Sequence, residues 1–104
     1  MKLVLSTIPP NDAAEMAHTL VTEKHVACVN IIPMVRSIYT WKGELCDDAE
    51  SMMVMKTTDD KIAGLIDRIR QLHSYDVPEI VALNIDENGS NPDYLKWVLA
   101  SVGA

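Results

Sequence analysis

A long hairpin of strand-forming residues constrains the fold of this chain more than any other segment. It runs from about Ala27 to Thr57, and the pair Lys42-Gly43 divides it into two arms. Glycine adopts the positive φ of a two-residue turn at the lowest cost, so this pair predicts the turn. β-Branched and aromatic residues dominate the first arm, and they favour a pleated, partly buried strand.

Each arm of the hairpin is too long for one small domain. About 13 residues at roughly 3.3 Å each extend about 43 Å, whereas a compact chain of this size has a diameter of roughly 33 Å. A straight hairpin would project from its own subunit and expose Tyr39, Trp41 and Leu45 beside unpaired strand edges. We therefore expect another subunit to cover them. Pro33 lacks an N–H, so it must lie at an edge or at a bulge that bends the arm.

The rest of the chain predicts an α+β fold with the element order β-α-β-β-α-β-α. Apolar spacing and turn residues predict a central first strand at Lys2–Ile8, a helix from an Asn11 cap to about Lys24, a helix capped by Thr57 or Thr58, a strand from about Glu79 to Ile85, and a last helix capped by Asn91 with Pro92 at its first position. The apolar stripes predicted for the helices are Ala13, Met16, Ala17, Leu20 and Val21, then Ile62, Leu65, Ile66, Ile69, Leu72 and His73, then Leu95, Val98, Leu99 and Val102.

The first six elements match the split βαβ, or ferredoxin-like, sandwich of four antiparallel strands with two helices on one face. The long β-hairpin and an extra C-terminal helix are added to this arrangement. The second face of the sheet would then be bare, except where the last helix or another subunit covers it. A large exposed apolar face is a liability, which gives a second reason to expect association.

Length and composition exclude several classes of protein. The 104 residues suffice for one core and predict a single domain, 1–104. The formal net charge of −6 argues against a nucleic acid partner. No apolar run approaches the roughly 20 residues of a membrane span, and the absence of a secretory pattern favours the cytoplasm. Cys28 and Cys46 lie on opposite arms but not opposite each other, so we expect buried free thiols.

The densest polar cluster comprises His73, Tyr75, Asp76 and Glu79. Three interpretations are open: a structural connection between helix and strand, contact with a ligand, or acid–base catalysis. Lys56 would either form an ion pair with Glu50 or Glu79 or meet a small anionic ligand.

Aromatic and thioether side chains also allow two interpretations each. Tyr39 and Trp41 suit a subunit interface better than ligand stacking, and Trp97 suits a core or an interface. Thioether ligands for copper are one interpretation of Met52, Met53 and Met55 with Met34. Adjacent strand residues such as Met52 and Met53 face opposite sides, so core filling is favoured.

Several motifs resemble those of the divalent-cation tolerance (CutA) family. They are Thr7-x-Pro9, Ala27-Cys28-Val29-Asn30, Tyr39-x-Trp41-x-Gly43, Lys56-Thr57, His73-x-Tyr75-x-x-Pro78-Glu79 and Tyr94-Leu95-x-Trp97. The resemblance runs nearly end to end. It implies a single ferredoxin-like domain that assembles as a PII-like homotrimer, in which the hairpins extend sheets across subunits. It also implies a connection with tolerance of copper and other divalent metals.

The resemblance places candidate ligand sites at the clefts between subunits. The residues assigned to these clefts are Cys28, Asn30, Tyr39, Trp41, Glu50, Lys56, His73, Tyr75, Glu79 and Trp97. Some members of the family hold copper with a cysteine and a His-His pair, where this chain has Ser6 and Leu72-His73. Only His73 remains as a candidate metal ligand. We therefore expect no obligatory cofactor and only weak binding of copper or another divalent cation.

Three functions follow as hypotheses. The first is a cytoplasmic homotrimeric binding or regulatory protein associated with divalent metal tolerance, which holds a metal or ligand at its clefts. The second is a trimeric scaffold or interaction module that anchors another protein. The third is a cleft enzyme that uses His73, Lys56 and Glu79. No complete catalytic constellation is visible, so we do not expect an enzyme.

Overall fold

The computed structural model describes residues 1–103 and contains one four-stranded antiparallel sheet. Its strands are β1 (Lys2–Ile8), β2 (Cys28–Trp41), β3 (Glu44–Thr57) and β4 (Val81–Asn84), in the spatial order β2-β3-β1-β4. The helices are α1 (Ala13–Thr22), α2 (Ile62–Leu72) and α3 (Pro92–Val102). This is the predicted ferredoxin-like arrangement, with β1 central as expected. No helix among these residues is long and apolar enough to cross a membrane.

The hydrophobic core lies between one face of the sheet and the helices α1 and α2. Alternate positions on β1 and β3 supply this face, and they include Val4, Ile8, Met53 and Met55. The helices contribute Met16 and Leu20 from α1 and Leu65 and Ile69 from α2. Three members of the predicted stripes, Val21, Leu72 and Leu99, are exposed instead.

The opposite face of the sheet is largely uncovered. The strand register places Ile32, Leu5, Val81, Leu3 and Leu83 on this face, which we call the open face. Three of these side chains, on β2 and β4, are nearly half exposed. Helix α3 packs only at one end of the sheet, where its buried residues Val98 and Val102 cluster with Ala27 and Met1.

The hairpin of β2 and β3 gives the molecule its length. The molecule measures 44 × 27 × 22 Å along its principal axes, and the two arms stay paired out to Trp41 and Glu44. Lys42 and Gly43 have positive φ values of 51° and 80°, which confirms the predicted turn. The outer part of the hairpin is solvated, and Leu45 near its tip is 76% exposed.

A β-bulge interrupts the hairpin where Pro33 was expected to bend it. The register shifts between Ile32 and Val35, so Pro33 and Met34 together lie opposite Ser51. The Ser51 hydroxyl donates a hydrogen bond of 2.7 Å to the Pro33 carbonyl. The extra residue leaves Ile32 and Val35 on the same face, which decides the direction of every side chain further out.

The helix caps differ from the predictions at two of the three helices. Asn11 lies inside a 3₁₀ turn (Pro10–Asp12), and α1 then begins without a side-chain capping bond. Thr58 begins a second 3₁₀ turn (Asp59–Lys61), but its hydroxyl donates to the Asp60 carboxylate, and the Thr57 hydroxyl donates to the His25 carbonyl. These turns supply the transition into each helix and replace the predicted caps.

The bounds of two elements also differ from the predicted ones. Helix α1 ends at Thr22 and not at Lys24, whose φ of 62° is left-handed and cannot continue the helix. Strand β4 is shorter than predicted, because only Val81–Asn84 pair with β1.

Asn91 caps α3 as predicted. Its side-chain oxygen accepts from the Asp93 backbone N–H at 3.1 Å. We expect Asn91→Ala to lower the free energy of unfolding by about 1 kcal/mol, because that N–H loses its partner. Asn11→Ala is the matched control and should change it by less than about 0.5 kcal/mol. Urea unfolding measures both variants, and equal losses would contradict the capping role.

Candidate functional site

A groove separates the outer hairpin from the loop that joins α2 to β4. Its volume is about 500 Å³. We call it the hairpin groove, and its lining residues are Thr7, Ser37, Tyr39, Trp41, Glu50, Ser74, Tyr75, Asp76, Val77 and Glu79. Five of the ten residues predicted from the sequence line it: Tyr39, Trp41, Glu50, Tyr75 and Glu79. The structure therefore brings together predicted residues that lie up to 40 positions apart in the sequence.

Strand alternation and the bulge build the hairpin wall of the groove. The register pairs Val35 with Glu50, Ser37 with Asp48, and Tyr39 with Cys46. Because paired residues of antiparallel strands point to the same side, Ser37, Tyr39 and Glu50 share one face of the hairpin. Without the extra residue at Pro33–Met34, Tyr39 would point to the opposite face.

His73 anchors the other wall. Its Nε2 lies 2.8 Å from the Thr7 carbonyl oxygen, and its Nδ1 accepts from the Tyr75 backbone N–H at 3.1 Å. A carbonyl can only accept, so Nε2 carries the proton and the ring has the pattern of a neutral imidazole. The side chain is buried. His73 therefore holds the loop against β1 from beneath the groove and does not line it.

Tyr75 and Glu50 connect the two walls. The Tyr75 hydroxyl donates a hydrogen bond of 2.9 Å to a Glu50 carboxylate oxygen. Burial, together with this bond and the carboxylate charge, raises the pKa of Tyr75 to about 12. Glu50 itself is only 5% exposed. A buried carboxylate thus lines the groove with a phenol as its hydrogen-bond donor.

Tyr39 forms the same kind of hydrogen bond to a carboxylate nearer the hairpin tip. Its hydroxyl donates to the Asp48 carboxylate at 2.7 Å. This hydrogen bond, with smaller contributions from desolvation and neighbouring carboxylates, raises the pKa of Tyr39 well above its usual value. Both phenols of the groove stay protonated near neutral pH. They can donate hydrogen bonds, but they are unsuited to act as bases there.

The Tyr75 ionisation gives a direct test of this geometry. We expect Tyr75 to ionise near pH 12. Tyrosinate absorbance follows the titration, and the difference between the parent chain and Tyr75→Phe gives the contribution of Tyr75. The phenol ionises near pH 10 in an unfolded chain. Its pKa is raised in the folded state, so its bond to Glu50 stabilises the fold fully below about pH 10 and is lost as pH rises towards 12. Glu50→Gln should lower the Tyr75 pKa, and an unchanged value would contradict the pairing.

A second group of predicted residues lies at the other end of the sheet. Cys28 pairs with Lys56 across the hairpin. The Lys56 ammonium and the Cys28 thiol both donate to the Asn30 side-chain oxygen, the thiol at 3.6 Å. The Tyr94 hydroxyl lies beside Cys28, and burial is the main cause of its raised pKa.

The predicted ion pair of Lys56 with Glu50 or Glu79 is wrong. Glu50 and Lys56 lie six positions apart on β3, which corresponds to about 20 Å. Glu50 accepts from Tyr75, and Lys56 donates to Asn30. Lys56 therefore does not share a groove with His73 and Glu79 in one subunit, and the acid–base set predicted for a cleft enzyme is not assembled there. An anionic ligand at Lys56 stays a prediction.

Trp97 also lies outside the groove. It is on α3, about half exposed, and its ring centroid is 5.6 Å from that of Tyr94. Other groove residues were missed from the sequence, namely Thr7, Ser37, Ser74 and Val77 as lining and Asp48 as the partner of Tyr39. The predicted turn at Lys42-Gly43 sets the hairpin register. Side-chain alternation along each arm from Tyr39 would then have identified Ser37 and Asp48 on the same face.

No metal cluster is preassembled among residues 1–103. No three His, Cys, Asp or Glu side chains in this range converge closely enough to hold a metal ion. To bind a metal, His73 would give up one of its two hydrogen bonds. Its role as a metal ligand stays a prediction. Cys28 and Cys46 are free thiols, as expected, but both are partly exposed and not buried.

Comparison with known proteins decides the family. The sequence profile described as CutA1 divalent ion tolerance protein matches residues 2–101. The chain belongs to the CutA1 family. A divalent-cation tolerance protein CutA of Thermus thermophilus is 44% identical over 103 residues, covering 98% of both chains. A CutA homolog of Xenopus laevis is 45% identical over 91 residues, and the match spans 59% of that longer protein and 86% of this chain.

Solved CutA structures have the same fold. A PII-like CutA from Nostoc sp. PCC 7120 superposes with a TM-score of 0.94 at 41% identity, covering 99% of this chain and 98% of that one. The Thermus thermophilus protein gives a TM-score of 0.92 at 44% identity, with 99% and 100% coverage. A third structure, from Archaeoglobus fulgidus, is described as periplasmic and gives a TM-score of 0.92 at 30% identity, with 99% and 100% coverage.

Proposed function

We propose that this CutA1 chain is a cytoplasmic homotrimeric binding or regulatory protein connected with tolerance of divalent metals, copper among them. Its small ligand or metal would be held in clefts between subunits. The family membership supports the connection with divalent cations. Two free cysteines fit a reducing compartment, which supports the cytoplasm.

The uncovered sheet face is the observation that carries the assembly. The open face presents Ile32, Val81 and Leu83 nearly half exposed, on a sheet whose other face carries the hydrophobic core. Soluble monomers rarely leave so continuous an apolar face in water. The solvated outer hairpin lies next to this face and offers edges on which a neighbouring sheet can be extended. Closed rings of three copies would bury both surfaces at once.

The position of the hairpin groove supports the cleft part of the proposal. One wall of the groove is the outer hairpin, which is the part most available to a neighbouring subunit. Tyr39 and Trp41 line the groove yet stay more than 40% exposed, so a neighbour could cover them. A ligand in the groove would then lie near a subunit boundary. Binding there would be coupled to assembly by linkage.

The test of the assembly is the mass of the full chain in solution. Sedimentation equilibrium and light scattering at micromolar concentration should give three times the mass of one chain. A stable monomer at that concentration would overturn the proposed trimer.

A metal titration tests the metal-binding part of the proposal. Copper or zinc binding by calorimetry is expected to be weak, because Ser6 and Leu72 stand at two positions where relatives of this kind carry ligands, as the resemblance implies. Micromolar affinity that disappears in His73→Ala would instead establish a true metal site there. Binding that is equally weak in both proteins would indicate only the acidic surface.

A trimeric scaffold that anchors another protein is the second candidate. The exposed outer hairpin favours it, because Leu45 and Met34 present exposed apolar surface and do not line the groove. Crosslinking of the assembled trimer would separate the two: if both side chains remain accessible in the trimer, a further protein can bind them. An enzyme is less favoured, because Lys56 lies apart from His73 and Glu79 and the groove phenols stay protonated.

A further inference from the structure

The charges of the hairpin groove are all of one sign. Its lining includes the carboxylates Glu50, Asp76 and Glu79 but no Lys, Arg or His. Among residues 1–103, none of these three carboxylates forms an ion pair, and Arg36, on the other face of the hairpin, pairs with Asp47 at 2.6 Å. The field inside the groove is therefore negative and attracts cations.

Glu50 is the carboxylate that most needs a positive partner. It is 95% buried, since only 5% of its surface is exposed. Its only hydrogen bond from the described residues comes from the neutral Tyr75 hydroxyl. A buried carboxylate with no compensating cation is costly, because burial removes its hydration without replacing the lost interaction. A cation that entered the groove would supply that interaction.

The walls of the groove select the kind of cation. Tyr39, Trp41 and Tyr75 line it together, and the faces of aromatic rings attract ammonium groups. The chain already shows such a contact on this ring, because the Lys42 Nζ lies 5.9 Å from the Trp41 centroid. Bare metal ions instead need several converging oxygen, nitrogen or sulfur ligands, and residues 1–103 hold no such group of three His, Cys, Asp or Glu.

We infer that the hairpin groove binds an organic ammonium cation, with the charge against Glu50 and the alkyl part against Tyr39, Trp41 and Tyr75. This deepens the proposed binding function by naming the ligand class of its groove, and it rests on that function. The cavity of about 500 Å³ has room for an alkylamine. Both a free small-molecule amine and the lysine side chain of another protein carry this chemistry.

The test compares two probes of nearly equal size. n-Butylammonium reproduces a lysine side chain and is charged at neutral pH, whereas butan-1-ol is its neutral counterpart. Calorimetric titration of the full chain should show the ammonium binding at least about tenfold more tightly than the alcohol. Equal affinities, or no detectable ammonium binding, would overturn the inference.

Matched variants assign the binding to the groove. Glu50→Gln should weaken the binding of n-butylammonium by about tenfold and leave the affinity for butan-1-ol unchanged. Its amide oxygen can still accept from Tyr75, so the variant should fold. Asp67→Asn removes the same charge from the exposed side of α2 and should change neither affinity. Trp41→Leu should also weaken the ammonium. Equal losses in Glu50→Gln and Asp67→Asn would show only nonspecific attraction and would overturn the inference.

Two further measurements identify the source of the amine and separate this inference from the proposed trimer. The binding of acetyl-Gly-Lys-Gly-amide is compared with that of the same peptide carrying norleucine in place of lysine. This pair shows whether the groove admits a lysine within a chain or only a free amine. Tighter binding of the charged member in either pair of probes supports the inference. The mass of the chain is measured in the same samples. A trimer that binds no ammonium would overturn the inference alone, whereas a monomer that binds it selectively would overturn the assembly alone.

Discussion

Leu83→Lys is expected to convert the trimer into monomers. Leu83 lies on the edge strand β4, on the open face of the sheet, and 45% of its surface is exposed in the single chain. If the open face is buried between subunits, each copy would lose the burial of one leucine and would have to desolvate one ammonium. The cost is at least about 3 kcal/mol per copy, or more than about a hundredfold in the association constant.

Val21→Lys is the matched control for this experiment. Val21 is 42% exposed, close to the value for Leu83, but it lies on α1, on the other side of the sheet. Sedimentation at micromolar concentration should therefore report monomers for Leu83→Lys and trimers for Val21→Lys. Circular dichroism should show that both chains are folded. A trimer of undiminished stability in Leu83→Lys would mean that the open face is not the interface.

His73→Ala is expected to destabilise the fold by about 2–3 kcal/mol. The substitution leaves the Thr7 carbonyl and the Tyr75 backbone N–H without the partners that the ring gave them. It also releases the loop that carries Tyr75, so the bond from Tyr75 to Glu50 weakens. The stability of an assembled protein depends on its concentration, so urea unfolding is measured at one fixed chain concentration.

The control for His73 is another histidine of this chain. His18 is exposed on α1, so His18→Ala should change the free energy of unfolding by less than about 0.5 kcal/mol. A second measurement follows the groove itself. The pKa of Tyr75, raised to about 12 in the parent chain, should fall towards 10 in His73→Ala. If both stability and this pKa are unchanged, His73 does not hold the loop.

The elements that could be predicted from the sequence are those set by periodicity and by special backbone residues. Lys42-Gly43 fixed the hairpin register, and Pro33 marked the bulge, because both act through local backbone geometry. The helix caps were harder. Asn11 has the right side chain for a cap, but a 3₁₀ turn competes for the same residues, and spacing cannot decide between the two.

The candidate site was only partly predictable for a different reason. Tyr39, Trp41, Glu50, Tyr75 and Glu79 were named together, and the structure places them around one groove. Lys56 was grouped with them, yet it lies at the far end of β3 and donates to Asn30. Motifs record which residues matter but not the distance between them along a strand. The role of His73 beneath the loop depends on the Thr7 carbonyl, which no side-chain motif can reveal.

The bulge at Pro33 and Met34 limits how the length of this ribbon can vary. Side chains alternate between the two faces of a strand with a period of two. Removing or adding a single residue between Val35 and Trp41 would turn the aromatic side chains beyond it away from the buried acid. Changes of two residues would preserve their direction. The tip of the ribbon is thus free to lengthen or shorten in even steps only, although it is the most solvated part of the molecule.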